Sequence, residues 1–168
     1  LALPACGAGG VVSGLSDLDP IGPSPTEGLP GGGSGVAMSS SEQEFADEVL
    51  RLVNVERARA GVAPLLADPV LAQVAYAHSV DMDVRNYFGH TNPSGQDLGA
   101  RLESSGVTGL RSWGENIAWG QRTPESVMRD WMESAGHREN ILHPTFTHLG
   151  VGVHGPSSIW WTQAFGRR

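Results

Sequence analysis

Six histidines and eighteen carboxylates supply most of the chemistry available to this 168-residue chain. A single cysteine, Cys6, excludes intrachain disulfides and any cysteine-built zinc cage in the folded part. His90 and His137 each follow a glycine, in Phe88-Gly89-His90-Thr91 and Ala135-Gly136-His137-Arg138. Both glycines read as helix breakers, and glycine lets the backbone approach a shared point closely. Between them, Trp113-Gly114-Glu115-Asn116-Ile117-Ala118 sets a carboxylate on an apolar segment, where burial is costly unless the charge is paired or metal-bound. Two imidazoles, one carboxylate and a water satisfy tetrahedral Zn²⁺. The intervals of 25 and 22 residues carry no local signature such as His-Glu-x-x-His, so only the fold can bring His90, Glu115 and His137 together. His78 lies on an apolar helical stripe and reads as a core imidazole bonded to a neighbour. His143, His148 and His154 border turns or strands and read as surface residues. No Gly-x-Ser-x-Gly elbow is present, which removes that route to a nucleophilic serine.

The elements that must position these residues follow from pattern. From Ser41 onward, Phe45, Val49, Leu52 and Val53 recur at steps of three and four, with acidic residues early and Arg51, Arg57 and Arg59 late, as a helix dipole favours. Gly61 ends this helix. Asp68-Pro69 caps and starts a second one, with Leu71, Ala75, His78 and Met82 on one face. Gly89, Asn92, Pro93 and Gly95 break it. A shorter helix is expected over Gln96 to Glu103, and Thr123-Pro124-Glu125-Ser126 opens a fourth that carries Val127, Trp131 and Met132. After His143-Pro144, Leu149, Val151 and Val153 alternate with Gly150 and Gly152 as a strand of period two. Gly155-Pro156-Ser157-Ser158 is turn chemistry, and Ile159 to Phe165 is rich in strand formers, so the carboxyl end reads as a hairpin. Trp160 and Trp161, adjacent on that strand, point to opposite faces. The class is α+β.

Charge and composition narrow the setting. Eleven basic residues against eighteen acidic ones give a net charge of −7, the wrong sign for nucleic acid. All eleven are arginine and the first is Arg51, so no polybasic patch precedes it. Residues 1–40 hold ten glycines and five prolines with no apolar period, the composition of a disordered tether reaching roughly 30–35 Å. At its start, Leu3-Pro4-Ala5-Cys6-Gly7 resembles the bacterial lipobox. Residues 1–5 then read as the remnant of a signal peptide, Cys6 as the lipidated residue and 6–40 as the Gly/Pro-rich tether, with 41–168 the folded domain. Membrane contact is expected only through that lipid anchor.

Five motifs occur in a specific order: Asn86-Tyr87-Phe88-Gly89-His90-Thr91, Gly114-Glu115-Asn116-Ile117-Ala118, Trp131 through Leu142 with Gly136-His137-Arg138-Glu139-Asn140 at its centre, Leu149-Gly150-Val151-Gly152-Val153, and Trp160-Trp161-Thr162-Gln163-Ala164-Phe165. In this order, over roughly residues 44 to 166, the chain resembles the CAP superfamily, which spans cysteine-rich secretory, antigen 5 and pathogenesis-related proteins, and within it a bacterial SCP-type domain. The resemblance implies a three-layer α-β-α sandwich with a small central antiparallel sheet and a wide cleft. It also implies a divalent-cation site of two His and two Glu, of which His90, Glu115 and His137 match by motif. The second family Glu falls on Ser134. Glu133 stands one residue away, about 100° round a helix, and Glu125 is the other carboxylate within reach.

Two functional classes follow. In one, the cleft and an aromatic rim drawn from Trp113, Trp119, Trp160 and Trp161 bind an envelope or extracellular ligand: an apolar small molecule, a cell-wall fragment or a protein. In the other, zinc on His90, Glu115 and His137 activates water to hydrolyse peptides or esters. That second class needs a general base within about 3 Å of the water, from Glu133 or Glu125. A third, purely structural reading has the His/Glu cluster clip loops together.

Overall fold

A computed structural model of the chain describes residues 11–12, 37–156 and 158–168. Residues 1–5, Cys6 and most of the 6–40 tether lie outside them. In chain order the elements are β1 (Val11–Val12), α1 (Ser40–Arg59), β2 (Leu66–Ala67), α2 (Pro69–Val84), α3 (Leu98–Ser104), β3 (Ser112–Trp119), α4 (Pro124–Glu133), α5 (Ala135–Leu142), β4 (His148–His154) and β5 (Trp160–Arg167).

The helices begin where their caps dictate. Ser39 and Glu42 close a capping box on α1, and the Asp68 carboxylate accepts from the Val70 and Leu71 amides ahead of Pro69. Leu71, Ala75, His78 and Met82 are all buried along α2, as the stripe predicts. On α3, Asp97 caps the Ala100 amide.

The sheet order is β1-β3-β5-β4-β2. Its centre is antiparallel: β5 pairs with β3 on one side and β4 on the other. The two-residue β1 and β2 join the edges in parallel, which makes the sheet mixed rather than wholly antiparallel. Helices cover both faces. Ala46, Val49 and Val53 of α1, Val127 and Trp131 of α4 and Ile141 of α5 pack on Leu149, Val151, Val153, Trp161 and Phe165. On the opposite face, Leu71, Val74 and Ala75 of α2 and Leu98 and Leu102 of α3 pack around Ala164, while Met82 meets Ile117 and Trp160. The three-layer α-β-α sandwich is therefore present. Trp161 stacks on Phe45 in one layer and donates to the Gln121 carbonyl at 3.0 Å; Trp160, on the other face, donates to Asp83 at 2.9 Å.

The glycines of β4 set the spacing of one layer. A Cβ at Gly150 would collide with the backbone of Leu71 and Ala72, and one at Gly152 with that of Ala75 and Tyr76. Helix α2 thus rests backbone to backbone on β4. Ser79 completes the contact by bonding Thr162 Oγ1 at 2.8 Å and the Gly152 carbonyl at 3.2 Å. Gly152→Ala must push α2 off the sheet and is expected to cost about 3 kcal/mol, measured as a lowered urea midpoint; an unchanged midpoint would contradict so close a seat.

Candidate functional site

Strand β3 alternates its side chains between the layers. Glu115 faces α2 and α3, and Asn116 faces α5. The Glu115 carboxylate is 1% exposed, and its charge is matched by Arg101 of α3, whose Nη2 lies 3.0 Å from Oε1 and 2.8 Å from Oε2. The guanidinium is itself fixed, with Nη2 also donating to the His90 carbonyl at 3.0 Å and Nε to the Asp97 carbonyl at 3.3 Å. His90 adds a second donor, Nδ1 at 2.9 Å from Oε1, and since the carboxylate can only accept, Nδ1 carries a proton. His78 anchors the loop that brings His90 in: its Nε2 donates to the Gly89 carbonyl at 3.0 Å and stands 4.0 Å from Oε1. Burial pushes Glu115 toward a higher pKa, but the His90 hydrogen bond and the Arg101 charge outweigh it and hold the carboxyl below its ordinary value.

The structure brings His90 and Glu115 together and adds Arg101 and His78. His137 is elsewhere in the layers. It is fully buried on α5, and its carbonyl accepts from Asn116 Nδ2 at 3.1 Å, on the sheet face opposite the Glu115 carboxylate. Asn116 also donates to Gln163 Oε1 at 2.9 Å, and Asn140 donates to Asn116 Oδ1 at 2.8 Å and to the Glu115 carbonyl at 3.1 Å. This buried amide network fastens α5 to β3 and β5. Gly136 does not break a helix. The break falls at Ser134, whose extended backbone (ψ 121°) both closes α4 and opens α5, so His137 rides in the first turn of α5. Glu125 and Glu133 are exposed on α4, whose buried side is Pro124, Val127, Met128 and Trp131. Neither carboxylate reaches Glu115, because α4 packs on the other face of the sheet.

A divalent ion does not fit this arrangement. Both oxygens of Glu115 are engaged by a guanidinium, and His78 has committed its Nε2 proton to a carbonyl. An ion on that carboxylate would stand within about 5 Å of Arg101, where a double and a single positive charge repel by roughly 7 kcal/mol at an effective dielectric of about 20. Among the described residues, no group of three or more His, Cys, Asp or Glu side chains is arranged to hold a metal ion.

Arg101 was the residue the motifs did not point to. The available signal was its position between Leu98 and Leu102 on the inward face of a helix capped by Asp97. A charge on a buried face requires a buried partner.

Burial pushes His78 down to about 4 from its ordinary 6.5. The folded state therefore binds this proton more weakly than the unfolded chain, so its contribution is intact above pH 6.5 and is lost as pH falls toward 4, by about 3 kcal/mol in all. Wild type should lose more stability across that window than His78→Gln, by denaturant titration at each pH. Equal losses would mean that the imidazole is not held neutral.

The model of the CAP family, the cysteine-rich secretory protein family, matches residues 50–165. The uncharacterized protein YkwD of Bacillus subtilis (strain 168) is 44% identical over 128 residues, covering 76% of this chain and 49% of its own length. The uncharacterized membrane protein YlbC of the same organism is 39% identical over 121 residues, 72% of this chain and 34% of its own. This chain thus spans about half or less of the curated relatives it matches. An extracellular protein containing a SCP domain from Bacillus anthracis str. Ames superposes with a TM-score of 0.72 at 35% identity, over 79% of this chain and 45% of that one. An outer surface protein from Borrelia burgdorferi shares the fold at 18% identity, with a TM-score of 0.71 over 80% of this chain and 99% of its own. The sandwich, the ordered motifs and these matches agree: the chain belongs to the CAP family, as a bacterial SCP-type domain.

Proposed function

We propose that this domain is a binding module displayed outside the cell, held to the membrane by lipid on Cys6 and taking an envelope or extracellular ligand on an aromatic face. The observation that carries the reading is a row of three rings. Phe88 and Trp160 have centroids 6.3 Å apart, and Trp160 and Trp119 are 5.4 Å apart. Phe88 is 38% exposed and Trp119 41%, while Trp160 between them is buried and fixed through Asp83. Two exposed rings braced on a fixed, buried third offer an amphipathic surface for stacking. Phe88 adjoins Gly89, whose carbonyl His78 grips, so the charged cluster sets the position of the rim. The setting outside the cell is supported by the relative named as extracellular and by the lipobox-like start. No helix among the described residues is long and apolar enough to cross a membrane.

The ligand is of a class that stacks on rings: an apolar small molecule, a cell-wall fragment or an apolar protein patch. Hydrolysis is the less supported reading, since Glu125 and Glu133 lie away from Glu115 and the carboxylate there is already paired. Co-sedimentation of the full chain with purified cell-wall fragments, and separately with lipid vesicles, tests the proposal. Binding to one of them should fall at least tenfold in Phe88→Ala/Trp119→Ala. Binding that ignores both rings, or peptide turnover that requires His90 and His137, would overturn it. For the anchor, Cys6→Ser in the secreting host should move the protein from the membrane fraction to the soluble one; retention at the membrane would remove Cys6 from the assignment.

A further inference from the structure

The CAP resemblance led to a divalent ion at Glu115, and the structure places a side chain there instead. We infer that Arg101 is the resident cation of the Glu115 site: it supplies from within the chain the positive charge that a bound ion would supply, and it makes that site metal-independent.

Three observations carry this. The contact is two-sided, because one guanidinium nitrogen reaches both carboxylate oxygens, at 2.8 and 3.0 Å, leaving neither oxygen without a positive neighbour. The guanidinium is not a mobile surface group. Arg101 is 9% exposed, and Nε and Nη2 are tied to the carbonyls of Asp97 and His90. Lastly, the bond to the His90 carbonyl holds the residue that the motif assigns as a ligand, so Arg101 organises the loop, an organising task that an ion would otherwise perform. A guanidinium also differs from an ion in what it offers. Its donors have fixed directions and no exchangeable coordination position, so the Glu115 site has no metal-bound water to activate. The inference does not depend on which ligand the aromatic face takes.

Titration calorimetry of the full chain with zinc chloride tests it. Wild type and His90→Ala should take up the same number of zinc equivalents, any zinc on exposed histidines being common to both. Arg101→Gln, which leaves the Glu115 charge uncompensated, should gain one equivalent bound at least tenfold tighter, and Arg101→Gln/His90→Ala should lose it. Wild type taking one more equivalent than His90→Ala overturns the inference. So does an Arg101→Gln protein with a native circular dichroism spectrum and no gained zinc. Should Arg101→Gln fail to fold, the wild-type and His90→Ala pair decides alone.

Discussion

A carboxylate buried in the middle of a sheet face is the constraint from which much of one half of this molecule follows. Glu115 is 1% exposed, and an ion so far from water needs a countercharge and donors at once. Arg101 provides the charge, which requires a helix at α3 turned so that one arginine enters between two leucines. His90 provides a donor, which requires the chain after α2 to fold back across the sheet. His78 secures that return by taking hold of the Gly89 carbonyl. An element, a loop and a core imidazole thus answer to a single negative charge.

The other half holds a buried charge of opposite sign, handled differently. Arg57 of α1 is fully buried with no carboxylate bonded to it among the described residues. Its guanidinium donates to the carbonyls of Ala63, Ile141, His143 and Phe146 at 2.7 to 3.3 Å. Spreading the charge over four dipoles leaves burial as the dominant influence, and it lowers the pKa of the group. The geometric result is that the end of α1 and the chain leaving α5 are joined through one side chain. Each layer therefore has its own polar anchor, and the amide network of Asn116, Asn140 and Gln163 links α5 back to the sheet.

Local chemistry was legible wherever it was self-contained. Asp68-Pro69, the α2 stripe and the Gly-Val alternation of β4 need only neighbours in sequence, and the structure has them where the patterns place them. What escaped depends on distant partners. Strand β3 has glycine, glutamate and asparagine at its centre, residues with little intrinsic liking for strands, and it is held by pairing with β5 and by bonds to α5. The restart of a helix at Ala135 rests on one extended residue, Ser134. Arg101 and Arg57 look like ordinary helical arginines until the opposing layer is known. The candidate site was half visible: His90 and Glu115 meet, while the partner that defines the chemistry at the carboxylate was the arginine rather than a second histidine.

The two neighbouring tryptophans of β5 have a consequence for how the chain can assemble. Each indole nitrogen has an acceptor in a different compartment, Asp83 beneath one face and the Gln121 carbonyl beneath the other. Sliding the middle strand by a single position would turn each indole to the opposite face, away from the acceptor that its present face provides. The central ribbon consequently admits one alignment only, and a near-miss pairing is rejected at both surfaces simultaneously.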